Sequence, residues 1–476
     1  MDLEVIIGLE IHAQVKTKTK MFCSCDNDAW GKAPNTCVCP VCTGHPGALP
    51  VPNKKAIELG VKAALALGCS IPQYSKFDRK NYFYPDLPAG YQISQFDEPV
   101  SKNGSVEIIL DGEKKKIGIT RLHLENDAGK LTHSGNFSYC DYNRAGTPLM
   151  EIVSEPDIRS AKEAKLYAEE VQKIVQFVDA SNADMYRGEM RFDASISLRP
   201  VGDQKLYPRA EIKNLNSFRA LEAALDFEIA RHTEMWEAGK PPASEQTVGW
   251  NDEKGETYLM REKESAADYR YFPEPDIPPL EFDAVEIERW RKELPELPLP
   301  MRERFEKEYG VTQQESETLT SSKALASYFE KVVSISGDGK KSAGWVLSEL
   351  LAKIKETEGA TIETQKITAE NLGNLVKKIV DGEISGKIGK EIFPEMWETG
   401  EAVEKIIERK GLKQISDAGE IEKLVDKVIA ENPAQVAGFK AGKVQLLGFF
   451  VGNVLKLSGG QANPQIVNQL LKEKLQ

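Results

Sequence analysis

From Ile6 to Val15 the chain reads Ile-Ile-Gly-Leu-Glu-Ile-His-Ala-Gln-Val. Its β-branched content and alternation predict a strand. Successive side chains of a strand point to opposite faces. Glu10, His12 and Gln14 therefore share one face, and Leu9, Ile11, Ala13 and Val15 share the other. A carboxylate and an imidazole on an otherwise apolar strand are costly to desolvate without a partner. A Glu–His hydrogen bond inside the sheet would satisfy them, and so would a divalent cation.

The same alternation returns further on. Val106 to Ile119 predicts a hairpin turning at Asp111-Gly112. Its second strand runs on through Leu-His-Leu-Glu, so His123 and Glu125 share a face, and Asp127 follows. Glu151 lies between Met150 and Ile152 in an apolar strand, where a lone carboxylate needs a partner. In Gly188–Leu198, Glu189, Arg191, Asp193, Ser195 and Ser197 face one way, and Met190, Phe192, Ala194 and Ile196 the other. Such a polar face meets either solvent or an active site. Ala210–Asn214 is a further strand.

Helical periodicity predicts a helix over Asn53–Leu67, capped by Asn53 and stopped at Gly68. A second opens at Ser160 with a Ser160–Glu163 capping box and runs to about Val178; a third follows Ser217. Phe77–Asp97 and Asp268–Asp276 are loops dense in aromatic and charged residues, a mixture that in exposed loops usually binds something. From about Pro295 strand alternation stops and helical spacing continues to the end. The fold class predicted is α+β. Residues 1–294 form a domain on a mixed or antiparallel sheet, 295–407 a helical domain and 408–476 a helical tail.

At 476 residues the chain exceeds what one core supports. No apolar run approaches membrane-spanning length, and the acidic start Met-Asp-Leu-Glu lacks a signal-peptide pattern, so a cytoplasmic protein is expected. A net charge of −12 argues against coating nucleic acid along the whole chain. Residues 433–476, however, carry +4, from Lys440, Lys443, Lys456, Lys472 and Lys474 against Glu473. A basic tail on an acidic body suits contact with RNA at one end; a solvated helical surface is the plainer alternative. Five of the seven cysteines fall between Cys23 and Cys42, which favours a metal over disulfides. Cys23-x-Cys25 and Cys39-x-x-Cys42 form two thiol pairs suited to a closed, structural zinc site. Cys37 is a fifth thiol able to replace one of them.

Glu10, His12, Glu125 and Glu151 together are a set suited to magnesium, which also bridges nucleotide phosphates. Lys80 and Arg191 could offset phosphate charge, and such a set would serve phosphoryl transfer. The chain has no GxxxxGK[ST] loop, GxGxxG fingerprint or GxSxG elbow.

Several long stretches resemble one family. They are IIGLEIHAQVKTKTKMFCSC, NTCVCPVCTGHPGALP, FDRKNYFYPDLPAGYQISQFD, GTPLMEIVSEPDIRS, RFDASISLRP, EIKNLNSF and YRYFPEPDIPPL. They resemble the B subunit of the tRNA-dependent amidotransferases, GatB, with its archaeal relative GatE. LGFFVGNVLKLSGGQANPQIVNQLL is similar to the YqeY-like domain that ends that subunit. The resemblance implies a ligase forming C–N bonds in protein biosynthesis. Such a subunit phosphorylates the side-chain carboxylate of mischarged Glu-tRNA(Gln), Asp-tRNA(Asn) or both with ATP. Ammonia from an amidase-type A subunit then displaces the phosphate, and a small C subunit completes a heterotrimer.

Carried over by position, the resemblance makes Glu10, His12, Glu125 and Glu151 magnesium ligands, and Glu125, Lys80, Arg191 and Asp193 catalytic residues. Lys80 lies at the mouth of the ammonia channel. Arg191 and Asp193 line the same pocket. Cys23, Cys25, Cys39 and Cys42 match the zinc site that some members have, and Cys37 is a departure. Lys443, Lys456 and Asn463 in the tail are the expected tRNA contacts. Two rival readings use the same residues. A non-catalytic zinc-containing RNA-binding subunit explains the thiols and tail but not carboxylates in strands. A stand-alone metal hydrolase predicts activity without tRNA or a partner.

Overall fold

The strand predicted at Ile6–Val15 is β1, Leu3–Gln14, inside an eight-stranded sheet. The structure is a computed structural model that describes residues 2–263, 268–411, 417–459 and 461–475. The other strands of this sheet are β2 (Ser101–Leu110), β3 (Glu113–Asn126), β4 (Pro148–Ser154), β5 (Met190–Pro200), β6 (Ala210–Leu215), β7 (Glu245–Asn251) and β8 (Glu256–Lys263). Their order is β8-β7-β6-β5-β1-β4-β3-β2. Every neighbouring pair is antiparallel except β6 and β7, so the sheet is mixed.

Alternation decides what each face of the sheet meets. Leu9, Ile11 and Ala13 of β1 join one apolar cluster with residues of helices α1 (Lys54–Ala66), α2 (Ala161–Phe177) and α3 (Phe218–Glu237). Val61, Val171 and Leu221 are fully buried contributions of the three helices. The opposite face is left to Glu10 and His12. Asp111 and Gly112 both take positive φ, 51° and 87°, as the two-residue turn joining β2 to β3 requires.

Two local expectations are corrected. Ser160 caps α2 by accepting from the Glu163 N–H, but the Glu163 carboxylate accepts from the Arg159 N–H (2.7 Å) instead of closing the box on Ser160. It also pairs with Lys115 at 2.5 Å, a partner from β3 that local sequence cannot supply. Phe77–Asp97 is not wholly loop: Asp78–Asn81 and Tyr91–Ser94 pair as strands, and Phe272–Pro273 joins them as a third.

Asn53 caps α1 through Oδ1, accepting from the Lys55 and Ala56 N–H groups. Its amide also donates to the Thr19 and Lys20 carbonyls. Asn53→Ala is expected to cost about 1 kcal/mol from the cap alone, more with the lost donors, and urea denaturation measures it.

From Ala284 onward every described regular element is helical, including a π-helical stretch at Trp345–Leu350. The chain divides into two compact units, Met1–Leu299 and Pro300–Gln476. The boundary expected at 408 falls inside the second. There, helices Ala418–Glu431, Leu446–Leu457 and Pro464–Leu475 share a small core of their own, with Phe450, Val454 and Val467 fully buried. No described helix is long and apolar enough to cross a membrane.

Candidate active site and cysteine cluster

Strand register builds the first site. His12 of β1 lies opposite Arg191 of β5 on one side and Glu151 of β4 on the other. Glu151 in turn lies opposite His123 of β3. Directly opposed residues share a face, so Arg191, His12, Glu151 and His123 form one row across four strands. One step along, Glu10 opposes Asp193 on the same face. Glu125 enters from β3, two residues beyond His123.

The side chains converge accordingly. His12 Nδ1 is 3.8 Å from Glu125 Oε1 and 4.0 Å from Glu151 Oε2. His12 Nε2 is 3.8 Å from Asp193 Oδ2. These gaps exceed hydrogen-bond length, and the buried Nδ1 has no hydrogen-bond partner. The Glu–His hydrogen bond that would have satisfied the strand internally is therefore not what holds His12. Two ligand groups, Glu10/His12/Asp193 and His12/Glu125/Glu151, each have atoms within 4.8 Å of one another. Ligands of one magnesium ion lie roughly 3–4 Å apart, so each of the two triads suits a hard cation; the four residues expected as one magnesium set divide between them, Glu10 with His12 and Asp193, and Glu125 and Glu151 with His12.

The electrostatics follow from crowding. Burial, then the neighbouring Glu151 and Asp193, push the Glu10 carboxyl upward, partly offset by Lys213. Burial works against ionising Glu151, but His123, His12 and Lys80 hold it well below the usual carboxylate range. His123 loses by burial and gains more from Glu151 and Glu125, so it is pushed up to about 9. Lys80 is likewise opposed by burial, and Glu125 and Glu151 raise it.

Lys80 sits on Asp78–Asn81, with Nζ 5.0 Å from the Tyr269 ring centre. Its neighbour Arg79 points elsewhere, paired with Glu274 at 2.7 Å and lying over Tyr91 at 4.2 Å. Arg191 donates to both Asp127 oxygens, at 3.1 and 3.2 Å. Asp193 accepts from Lys213 Nζ and from the Asn214 N–H, each at 2.8 Å.

Sequence reading missed Lys213. Phe192 pairs with Leu215 but Ala194 with Ile212, so Lys213 and Asn214 together oppose Asp193. This bulge turns Lys213 toward the site, with Asn214 at φ 57°. An Asn after a Lys in a predicted strand was the only signal. His123 lies on the strand expected and Asp127 just past its end, but their partners come from β4 and β5. Ser94, which donates to Glu125 Oε2 at 3.1 Å, came from the stretch read as loop.

The second cluster lies in the loop after β1. The Sγ atoms of Cys23, Cys25, Cys39 and Cys42 all lie within 4.8 Å of one another. Four converging thiols fit a closed tetrahedral metal site. Cys37 is buried outside this group; its N–H donates to Asn143 Oδ1 and its carbonyl accepts from Lys20. In the tail, Lys443 and Lys456 are exposed, while Asn463 uses its side-chain oxygen on the Gln465 N–H at the start of the last helix. Lys474 is tied to Glu422 and Asp426, which removes part of the tail's free positive charge.

Residues 5–288 match the GatB/GatE catalytic domain, and residues 327–475 match the GatB domain. This chain belongs to the GatB/GatE family. A relative from Persephonella marina is 50% identical over 476 residues, with all of both chains covered. One from Carboxydothermus hydrogenoformans is 48% identical, covering all of this chain and 99% of its own. One from Thermoanaerobacter pseudethanolicus is 49% identical, again with both chains covered in full. All three are named as the B subunit of aspartyl/glutamyl-tRNA(Asn/Gln) amidotransferase. The GatB/GatE catalytic match spans every residue of both clusters.

Proposed function

We propose that this chain is the B subunit of a tRNA-dependent amidotransferase. It phosphorylates the side-chain carboxylate of Glu-tRNA(Gln), Asp-tRNA(Asn) or both with ATP, then exchanges the phosphate for ammonia. The observation that carries the reading is the row Arg191–His12–Glu151–His123, flanked by Glu125, Glu10 and Asp193, with His12 Nδ1 unpartnered. Glu10, His12, Glu125 and Glu151 would hold magnesium, which when bound supplies charge neutralisation for the nucleotide phosphates.

The remaining steps belong to the chain and its substrates. A substrate carboxylate oxygen attacks the γ-phosphorus, and ADP leaves with the bond electrons. Ammonia then attacks the acyl carbon, inorganic phosphate leaves, and a proton is lost from nitrogen. Lys80, whose charge Glu125 and Glu151 favour, would stabilise transferred phosphoryl oxygens. Arg191, held by Asp127, and Asp193, held by Lys213, form the flanking wall. An acyl phosphate hydrolyses readily, so ammonia must arrive inside the complex. An amidase-type A subunit would release it, and a small C subunit would complete the heterotrimer.

Cys23, Cys25, Cys39 and Cys42 would hold a structural zinc. Residues 1–294, 295–407 and 408–476 would act as catalytic, connecting and tRNA-binding parts. Lys443, Lys456 and Asn463 would meet the tRNA body. Ammonium chloride in place of glutamine tests the chemistry without the glutaminase. The co-purified complex should then convert Glu-tRNA(Gln) to Gln-tRNA(Gln) only when ATP is present. Amide formation without ATP would overturn the kinase step, and rapid ATP hydrolysis without tRNA would favour the stand-alone hydrolase.

A further inference from the structure

We propose that a metal ion on Cys23, Cys25, Cys39 and Cys42 fastens the 140–146 segment, and through it sets the Asp127–Arg191 pair on the wall of the carboxylate site. The cluster and Asp127 border one cavity of about 310 Å³, with Cys23 and Cys42 on its lining together with Asn126 and Asp127. What joins them is a chain of hydrogen bonds around it.

The first link is a stitch between the cysteine loop and residues 140–143. The Cys37 N–H donates to Asn143 Oδ1 at 2.8 Å, and Asn143 Nδ2 donates to the Ala33 carbonyl at 2.8 Å. The Asn35 N–H donates to Asp141 Oδ1, Asn35 Nδ2 to the Cys140 carbonyl, and the Tyr142 N–H to Asn35 Oδ1. Asn35 holds this geometry at φ 59°, a left-handed conformation that asparagine tolerates. Among the described residues the loop has no regular helix or strand between Cys25 and Cys42. Its order draws on these bonds, on Arg187 pairing with Asp28 and lying over Trp30, and on whatever the thiols bind.

The second link is Lys20. It is fully buried, and its Nζ reaches the Cys37 carbonyl at 2.7 Å, the Tyr142 carbonyl at 3.3 Å and Cys42 Sγ at 3.6 Å. No carboxylate is among these partners. A buried ammonium needs a counter-charge, and four thiolates on a divalent ion carry a net charge of −2. Lys20 therefore suits a metal-loaded cluster and ties it directly to Tyr142.

The third link runs from the segment to the site. Arg144 donates to the Ala128 and Gly129 carbonyls at 3.0 and 2.9 Å and pairs with Asp127 at 3.5 Å. The Gly146 N–H donates to the Asp127 carbonyl, and the Asp127 N–H to the Thr147 carbonyl. Asp127 so fixed presents both oxygens to Arg191. Lys20, Asn143 and Arg144 are positioning residues, since none belongs to the carboxylate site.

The inference rests on the proposed function only for its kinetic readout; zinc content and amide exchange need no turnover, so the two can fail separately. The purified complex is assayed for zinc, then for hydrogen exchange before and after chelation and after zinc is returned. Peptides across 126–147 are expected to exchange roughly ten-fold faster or more without zinc, and to recover with it. Lys20→Met should weaken zinc binding by about 10–100-fold, with Lys20→Arg recovering part of the loss. Should chelation loosen the whole chain, zinc-loaded Asn143→Ala carries the test. It should speed exchange over 126–147 at unchanged zinc content and raise KM for ATP more than it lowers kcat, and Asn143→Asp should recover part of both. A complex that holds no zinc, or protection over 126–147 that is the same in all these states, overturns the proposal.

Discussion

Glu125→Gln in the assembled complex is expected to lower ATP-dependent amide formation by at least about 10²–10³-fold, while glutamine hydrolysis by the partner glutaminase continues. Glu125 is 2% exposed, and its two oxygens face His12 at 3.8 Å, His123 at 3.6 Å and Ser94 at 3.1 Å. Glutamine keeps the shape and one acceptor, so Ser94 keeps its bond. What disappears is a negative charge within 4 Å of His12, together with one of the two carboxylates that keep Lys80 charged. A fold held by the eight-stranded sheet should tolerate the change, and circular dichroism should show native secondary structure. Amide formation at the wild-type rate would remove Glu125 from the mechanism.

Asp127→Ala should be the most destabilising single change near the site, by about 3–5 kcal/mol. Asp127 is 3% exposed and answers Arg191 through both oxygens and Arg144 through one. Removing it strands a largely buried guanidinium, and that penalty is a large share of a typical domain's net stability. Glu4→Ala is the contrast. Glu4 also bridges two arginines, Arg159 and Arg199 at 2.8 and 2.7 Å, but at the partly exposed start of β1, where water screens the pairs more than at Asp127. Urea denaturation of the full chain should separate the two variants clearly. Equal, small shifts for both would mean that Arg191 finds another partner when Asp127 is lost.

How much of this was legible in the sequence varies with range. The face carrying Glu10 and His12, the Asp111-Gly112 turn and the Asn53 and Ser217 caps are set within a few residues, and alternation or capping chemistry reveals them. The row Arg191–His12–Glu151–His123 depends on the register between strands up to 179 residues apart, from His12 to Arg191, which local pattern cannot fix. Candidate residues were therefore readable, but not their convergence. Lys213 was unreadable because a bulge redirects it. Glu163 misled for a related reason: Lys115 comes from the sheet and outcompetes the local cap. The four thiols were legible by spacing, whereas the position of Cys37 outside them depended on Asn143, 106 residues away.

The most direct measurement is ADP release by the co-purified complex, with and without Glu-tRNA(Gln). ADP is expected only when the charged tRNA is present, and none from the Glu125→Gln complex. Absence of ADP from a wild-type complex that binds the charged tRNA would contradict the kinase step. The chain would then be a tRNA-holding scaffold, and its buried carboxylates would need another explanation.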